Sequence, residues 1–300
     1  ILAETLAEEI PEVELAVSEA VNPDKSILLA NDQSIRSSGA YASKDYFNVF
    51  SYPLYRGDKN KVLADESNIV ISRDLALKLF SSSDDVIGKE VIVDGKGQYM
   101  VSGVFSIPSN STKQFDFVLP LATAFNHYPN LKNNWNNSWV NTHVLVKEGA
   151  DVTQLNPKIT DLIQSNTGSE YLSGFTRKYS EAYLYGKYEN GVQAGGRIEY
   201  VWLFGIVGVF VLLLACINFM NLSTARSQKR CKEVGVRKVI GSARGQLVRQ
   251  FFSESLLVVL LAFALAILLV QLLLPFFNKI ANKNIVVDWF NPTIWLYAIS

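Results

Sequence analysis

Two long stretches of the chain carry no charged residue, Tyr200–Ala225 and Ser255–Asn278. As helix, at ~1.5 Å per residue, each can cross a hydrocarbon core of ~30 Å. Before residue 200 the pattern changes to short apolar runs of strand or helix period, broken by Gly, Pro, Asn and Asp. The hydrophobic pattern therefore predicts a globular part over 1–199 and a membrane part over 200–300. Within the latter it predicts a span at 200–225, a polar loop at 226–254, a second span at 255–277 and the start of another at 292–300.

Within 1–199, Leu2–Ile10 has helical spacing, while Val13–Val21 and Ser26–Ala30 read as strands. Asp45–Phe50 reads as a short aromatic helix or turn. Ile69–Ser72 predicts a strand leading into a helix at Arg73–Phe80. Glu90–Val93 and Gln98–Phe105 flank Asp94-Gly95-Lys96-Gly97, a hairpin signal. Phe115–Leu119 reads as a strand ended by Pro120, Trp139–Lys147 alternates, and Gln154–Ser165 has helical character. Tyr171–Tyr185 reads as extended, and Gly186–Gly196 as a linker back to the membrane. The fold class expected for 1–199 is an α+β domain, mixed with largely antiparallel strands, joined to an α-helical transmembrane part.

Charge changes the picture by giving the membrane part a direction. The whole chain balances 28 Lys and Arg against 28 Asp and Glu. Residues 1–199 hold 18 basic and 25 acidic residues. The loop 226–254 holds eight basic residues (Arg226, Lys229, Arg230, Lys232, Arg237, Lys238, Arg244, Arg249) against Glu233 and Glu254. Short loops rich in Lys and Arg stay cytoplasmic, so 1–199 is expected on the far side. Tyr200, Trp202, Trp289, Trp295 and Tyr297 suit interfacial belts. The two cysteines, Cys216 and Cys231, leave the first part with none, so no disulfide framework or zinc spacing is available there. The chain starts at Ile1 without a signal, and an upstream transmembrane helix or export signal is expected.

Candidate chemistry concentrates in the loop. Read as a helix, Arg226, Arg230, Glu233 and Arg237 share one face, with Glu233 four residues before Arg237 in the better orientation for an ion pair. Val236, Val239 and Ile240 cluster on another side. Gly241 is a stop signal and Ser242 a cap for the next helix. Such a short, charged, partly apolar helix suits a groove on a soluble partner, although positive-inside topology alone would also require basic residues. Asn218, Asn221 and Gln271 sit in the apolar runs and read as helix or dimer packing groups. His127 and His143 have no Cys or clustered carboxylate beside them in sequence, so no metal site is expected. No nucleophile motif occurs, and no Gly-x-x-x-x-Gly-Lys-Ser/Thr loop is present to cradle a nucleotide phosphate. Carboxylates are abundant in 1–199, but no pair stands out. Asn110 and Asn136 fit a glycosylation pattern, and Trp135 and Trp139 read as core or partner-contact residues.

The segment Ala215–Phe277, beginning ACINFMNLSTARSQKRCKEVGVRKVIGSARGQLVRQFFSESLL, closely resembles the permease domain of MacB/FtsX-type ABC transporters. Residues 1–199 look more loosely like that family's extracytoplasmic domain, through Asp45–Asp58 and Ser67–Phe80. The resemblance implies an α+β extracytoplasmic domain inserted into an α-helical transmembrane permease domain, with the runs at 200–225 and 255–277 as its second and third transmembrane helices. It implies that the loop helix is the coupling helix, with Arg230, Glu233, Gly235, Arg237, Lys238 and Gly241 at an ATPase contact. ATP and Mg would belong to a cytosolic ABC ATPase partner, with no catalytic residue and no cofactor in this chain. A homodimer or a second permease, a periplasmic adaptor, membrane lipid and no nucleic acid complete the expected partners. The location implied is the bacterial cytoplasmic (inner) membrane. Export of peptides, drugs or lipoproteins is the implied role. Regulation of cell-wall hydrolases by the same mechanotransmission, or a transmembrane sensor with an outer ligand-binding domain, stands as the alternative.

Overall fold

The computed structural model describes residues 1–21, 25–95, 97–108, 111–241, 243–281 and 285–299, apart from the side chains at 127, 228–230, 232, 244, 294 and 297–299. Ser242 and Asn110, and the side chains of His127, Arg230 and Tyr297, singled out above, thus lie outside the described set. The chain forms two compact units, Ile1–Gly196 and Arg197–Ser300.

The first unit is built on a ten-stranded sheet. Its helices and strands follow in chain order: α1 Leu2–Glu9, β1 Val13–Val21, β2 Ser26–Ala30, β3 Gln33–Ser37, β4 Gly39–Ala42, α2 Tyr46–Val49 and β5 Leu54–Arg56. Then come β6 Asn68–Ser72, α3 Arg73–Phe80, β7 Glu90–Val93, β8 Gly97–Phe105, β9 Phe117–Pro120, α4 Leu121–His127, β10 Asn141–Val146 and α5 Leu155–Thr167. The strand order is β10-β1-β4-β9-β6-β8-β7-β2-β3, with β5 also on β8. Among the described residues only β4–β9 and β6–β8 run parallel; the other pairings are antiparallel. The mixed, largely antiparallel α+β domain is therefore as expected.

Local chemistry explains the elements. Ser72 caps α3 through Oγ, which accepts from the Leu75 amide at 3.1 Å. Asp74 in the first turn and Lys78 in the last complement the helix dipole. The hairpin between β2 and β3 turns on Asn31 and Asp32, both at positive φ, the conformation its two-residue loop needs. Three apolar clusters fill the unit. α3 covers one through Leu75 and Leu79. A second gathers Tyr46, Phe47, Tyr52, Phe105 and Phe115. The third packs α1 and α5 on β1 and β10 through Leu6, Val13, Leu155 and Ile159. Trp135 packs against this third cluster, while Trp139 meets the Tyr41 ring at 5.9 Å and stays partly exposed.

Two expectations for the first unit need correction. Gly186–Gly196 is not a bare linker but a hairpin, β11 Lys187–Glu189 with β12 Val192–Gly195. Asn190 and Gly191, both at positive φ, form its turn. Tyr171–Tyr185 is not extended throughout; it contains a 3₁₀ turn at Tyr179–Glu181.

The second unit consists of α6 Ile198–Val239, α7 Arg244–Ala281 and α8 Pro292–Ile299. Ile198–Ser227 and Gly245–Ala281 are long and apolar enough to cross a membrane. The loop 226–254 does not hold a separate short helix between spans. α6 continues into it as far as Val239, because Ala225–Glu233 contains neither Gly nor Pro and is rich in good helix formers. Thr224 and Ser227 hydroxyls bond back to carbonyls of the same helix. The break comes at Gly241, whose φ of +97° suits a residue without a Cβ.

Candidate functional site

The turn joining α6 to α7 gathers most of the residues singled out by the loop pattern. α6 has 42 residues, so it is ~63 Å long at ~1.5 Å each, about twice a hydrocarbon core. Its last three turns therefore stand clear of the apolar run as an exposed, basic helix end. Arg237 Nη2 meets Glu233 Oε1 at 2.6 Å, the i,i+4 pair that the spacing predicts. Arg237 Nη1 also donates to Gln250 Oε1 of α7 at 2.7 Å. One guanidinium thus braces both helix ends, using the fork geometry peculiar to arginine. Gln250 was missed in sequence, since nothing local ties it to a residue thirteen positions away.

Beside this brace Gly235, Val236, Val239 and Ile240 form an exposed apolar face at the end of α6. Val239 is 88% and Ile240 79% exposed, unusual for β-branched side chains at a polar helix end. A Cβ built on Gly235 would meet nothing within 4 Å, so this glycine relieves no crowding inside the chain. It leaves backbone open to whatever approaches. Lys238 is exposed and, with Arg237, places positive charge at the C-terminal end of the α6 dipole. Asn218, Asn221 and Gln271 are exposed on the long helices, and their side chains make no hydrogen bond among the described residues. At the other end of α7, Trp295 Nε1 donates to the Trp289 carbonyl at 2.8 Å, and the Trp295 ring stands 6.3 Å from Phe263.

A second constellation was not legible in sequence. Glu19 on β1 is fully buried. It accepts from the Tyr46 phenol at 2.7 Å and pairs with the Lys113 ammonium. His143 Nε2 on β10 faces Glu19 Oε1 at 3.5 Å without a hydrogen bond. Lys113 Nζ also lies 5.2 Å from the Phe50 ring centre and 5.6 Å from that of Tyr179. Burial lowers Lys113 to about 8. Burial, with the nearby charges of Lys113 and Arg177, lowers His143 to about 4. Burial raises the Tyr46 phenol, so it stays a donor. The one signal was Glu19 itself, an acid in the series Val13, Leu15, Val17 where the alternation calls for an apolar residue. The group cross-ties β1, β10, α2, the 111–116 loop and the Tyr179 turn.

Comparison with known proteins places both units. Residues 1–162 match the MacB-like periplasmic core domain, and residues 205–300 match the FtsX-like permease C-terminal domain. The chain belongs to the MacB/FtsX-type permease family. Among this family's curated members, the macrolide export ATP-binding/permease protein MacB of Escherichia coli strain K12 is 27% identical over 253 residues, covering 82% of this chain. The corresponding protein of Shigella flexneri matches equally. The chain spans 36% of the length of these MacB relatives. Among solved structures, a domain of a Porphyromonas gingivalis permease protein aligns with 25% identity and a TM-score of 0.48, covering 56% of this chain and 70% of that one. The periplasmic region of MacB from Actinobacillus actinomycetemcomitans aligns with 18% identity and a TM-score of 0.44, covering 56% and 74% respectively.

Proposed function

We propose that this MacB/FtsX-type chain is the permease part of an ABC transporter in the bacterial cytoplasmic membrane, and that the α6–α7 turn is where a cytosolic ATPase docks. The observation that carries this reading is the exposed apolar face of Gly235, Val236, Val239 and Ile240, set against the Glu233–Arg237–Gln250 brace. An exposed apolar patch ringed by charge is the anatomy of a protein-binding surface. The complementary partner surface would be an apolar socket with an acidic rim, met by Lys238 and the other basic residues of the turn.

The braced turn makes the two helix ends move as one. A push from the nucleotide-driven partner would enter α6 near Val239 and leave it near Ile198, because the helix is continuous between them. No phosphate-cradling loop occurs in these 300 residues, so nucleotide and Mg would be held by the ATP-binding partner, and this chain would carry no catalytic residue. Asn218, Asn221 and Gln271 would pack against a second permease copy or a paired permease. A periplasmic adaptor would meet the outer domain. The work done there would be export of a peptide, drug or lipoprotein.

Cross-linking tests the docking site. A cysteine at position 240, in the full-length protein with Cys216 and Cys231 replaced by serine, should cross-link to the ATP-binding polypeptide in membranes. A cysteine at exposed position 128 should not. Equal yields at the two positions, or none at 240, would remove the assignment.

A further inference from the structure

The coil after α5 is held in place with its large apolar side chains turned outward. Gln164 Nε2 donates to the carbonyls of Glu170 and Leu172, both at 3.0 Å. The Thr176 amide and hydroxyl both donate to Asn156 Oδ1, at 2.8 and 2.7 Å. Thr160 Oγ1 donates to the Gly174 carbonyl at 3.1 Å. Despite this anchoring, Tyr171 is 97% exposed, and Leu172 and Phe175 are more than 40% exposed. The Phe175 ring lies 4.9 Å from that of Tyr188, which joins the coil to the β11–β12 hairpin and the exposed Val192 at its tip. An ordered backbone presenting aromatic rings to water needs something to cover them.

Chain continuity says what covers them. Gly196 ends this segment, and α6 begins at Ile198. A Cβ on Gly196 would come within 2.4 Å of the Leu184 carbonyl oxygen and 2.9 Å of the Gly186 nitrogen, so strand end and coil meet there. The uncharged run Tyr200–Ala225 is 26 residues, ~39 Å as helix, close to the ~40–45 Å of a bilayer with its headgroups. With Arg226 at the cytoplasmic face, Tyr200 reaches the outer headgroups. Gly196 is four residues away, within ~14 Å even if fully extended. Charge does not draw the segment elsewhere. Lys178 pairs with Glu181 at 3.5 Å and Lys187 with Glu189 at 3.1 Å, leaving little net attraction for an anionic surface.

We propose that Tyr171, Leu172, Phe175 and Val192 form a collar that rests in the outer headgroup layer of the bilayer. Tyrosine and phenylalanine partition into that layer without needing lipid charge. The collar is a lipid contact of the outer domain. It rests on the membrane-spanning reading of α6 and not on ATP coupling, so either can fail without the other.

Spin-label accessibility tests it. The full-length protein, with Cys216→Ser and Cys231→Ser, receives a single nitroxide at position 171 or 192 and is reconstituted into phosphatidylcholine vesicles. Position 128, 59% exposed in the outer domain, is the control. The labels at 171 and 192 should collide more with oxygen than with a water-soluble nickel chelate, and the order should reverse at 128. High salt should not change the result. Chelate access at 171 and 192 equal to that at 128 would overturn the proposal. So would labels shielded from both reagents, which would mean that a protein partner covers the patch.

Discussion

The Tyr46 phenol donates a 2.7 Å hydrogen bond to Glu19 Oε2, deep in the periplasmic core domain. Glu19 survives burial because Tyr46 and Lys113 both serve it, and removing either donor strands a carboxylate away from water. Lys113→Met is expected to destabilise residues 1–196 by about 3–5 kcal/mol. Tyr46→Phe should cost about 1–3 kcal/mol. The pair Glu19→Gln with Lys113→Met should recover part of the first loss, since the amide still accepts from Tyr46. Denaturant midpoints of the four proteins, taken at constant slope, check the order.

His143 sets the acid response of the same cluster. Its folded value of about 4 lies below the ordinary histidine value of 6.5. Between these values the unfolded chain binds the proton that the folded chain refuses, so stability falls with falling pH. The contribution is complete above about 6.5 and lost on passing below about 4, on the order of 3 kcal/mol in all. His143→Gln should flatten the stability profile across that window and leave the profile above pH 7 parallel to wild type. An unchanged slope in the variant would show that other groups govern the acid limb.

Gly235 separates helix stability from docking. A Cβ there meets nothing within the chain, so Gly235→Ala should stabilise α6 by about 1 kcal/mol. If the partner approaches this backbone closely, the same methyl should weaken its docking by about tenfold, ~1.4 kcal/mol. Titration of the purified ATP-binding partner onto both proteins in nanodiscs reads the second effect. Tighter or equal binding by the alanine variant would place the contact elsewhere.

The Arg237–Gln250 bond predicts that the brace serves geometry rather than charge alone. Gln250→Leu keeps every charge in the turn but frees the guanidinium from α7. It should lower transport-coupled ATP hydrolysis while leaving partner binding within about twofold, under 0.5 kcal/mol. Single-turnover and steady-state ATPase assays, with binding measured in parallel, separate the two.

Much of this architecture was legible in the chain, and the gaps have physical causes. Uncharged runs revealed both long helices because hydrocarbon tolerates so few alternatives. The strand-to-helix step at Ser72–Arg73 and the Asp94-Gly95 turn were readable because each is encoded within a few residues. The hairpin at Asn190-Gly191 was equally local, but the surrounding glycines masked it as a linker. β3 and β4 were missed because strands this short become strands through their neighbours, β4 lying parallel to the distant β9. The loop residues Glu233, Gly235, Arg237, Lys238 and Gly241 came together at one turn because they are close in sequence. Glu19, Lys113 and His143 meet only through long-range sheet pairing and a loop, which no spacing rule can supply.

The most direct test of the central claim is the ATPase activity of the full-length protein with the ATP-binding partner proposed for it, comparing wild type, Arg237→Glu, Glu233→Arg and the double exchange. The account predicts that each single reversal uncouples hydrolysis from the membrane part while insertion and folding stay intact. The double exchange should regain part of the coupling by rebuilding the i,i+4 pair. Wild-type coupling in both single variants would contradict the assignment of the α6–α7 turn as the site where ATP-driven motion enters the membrane.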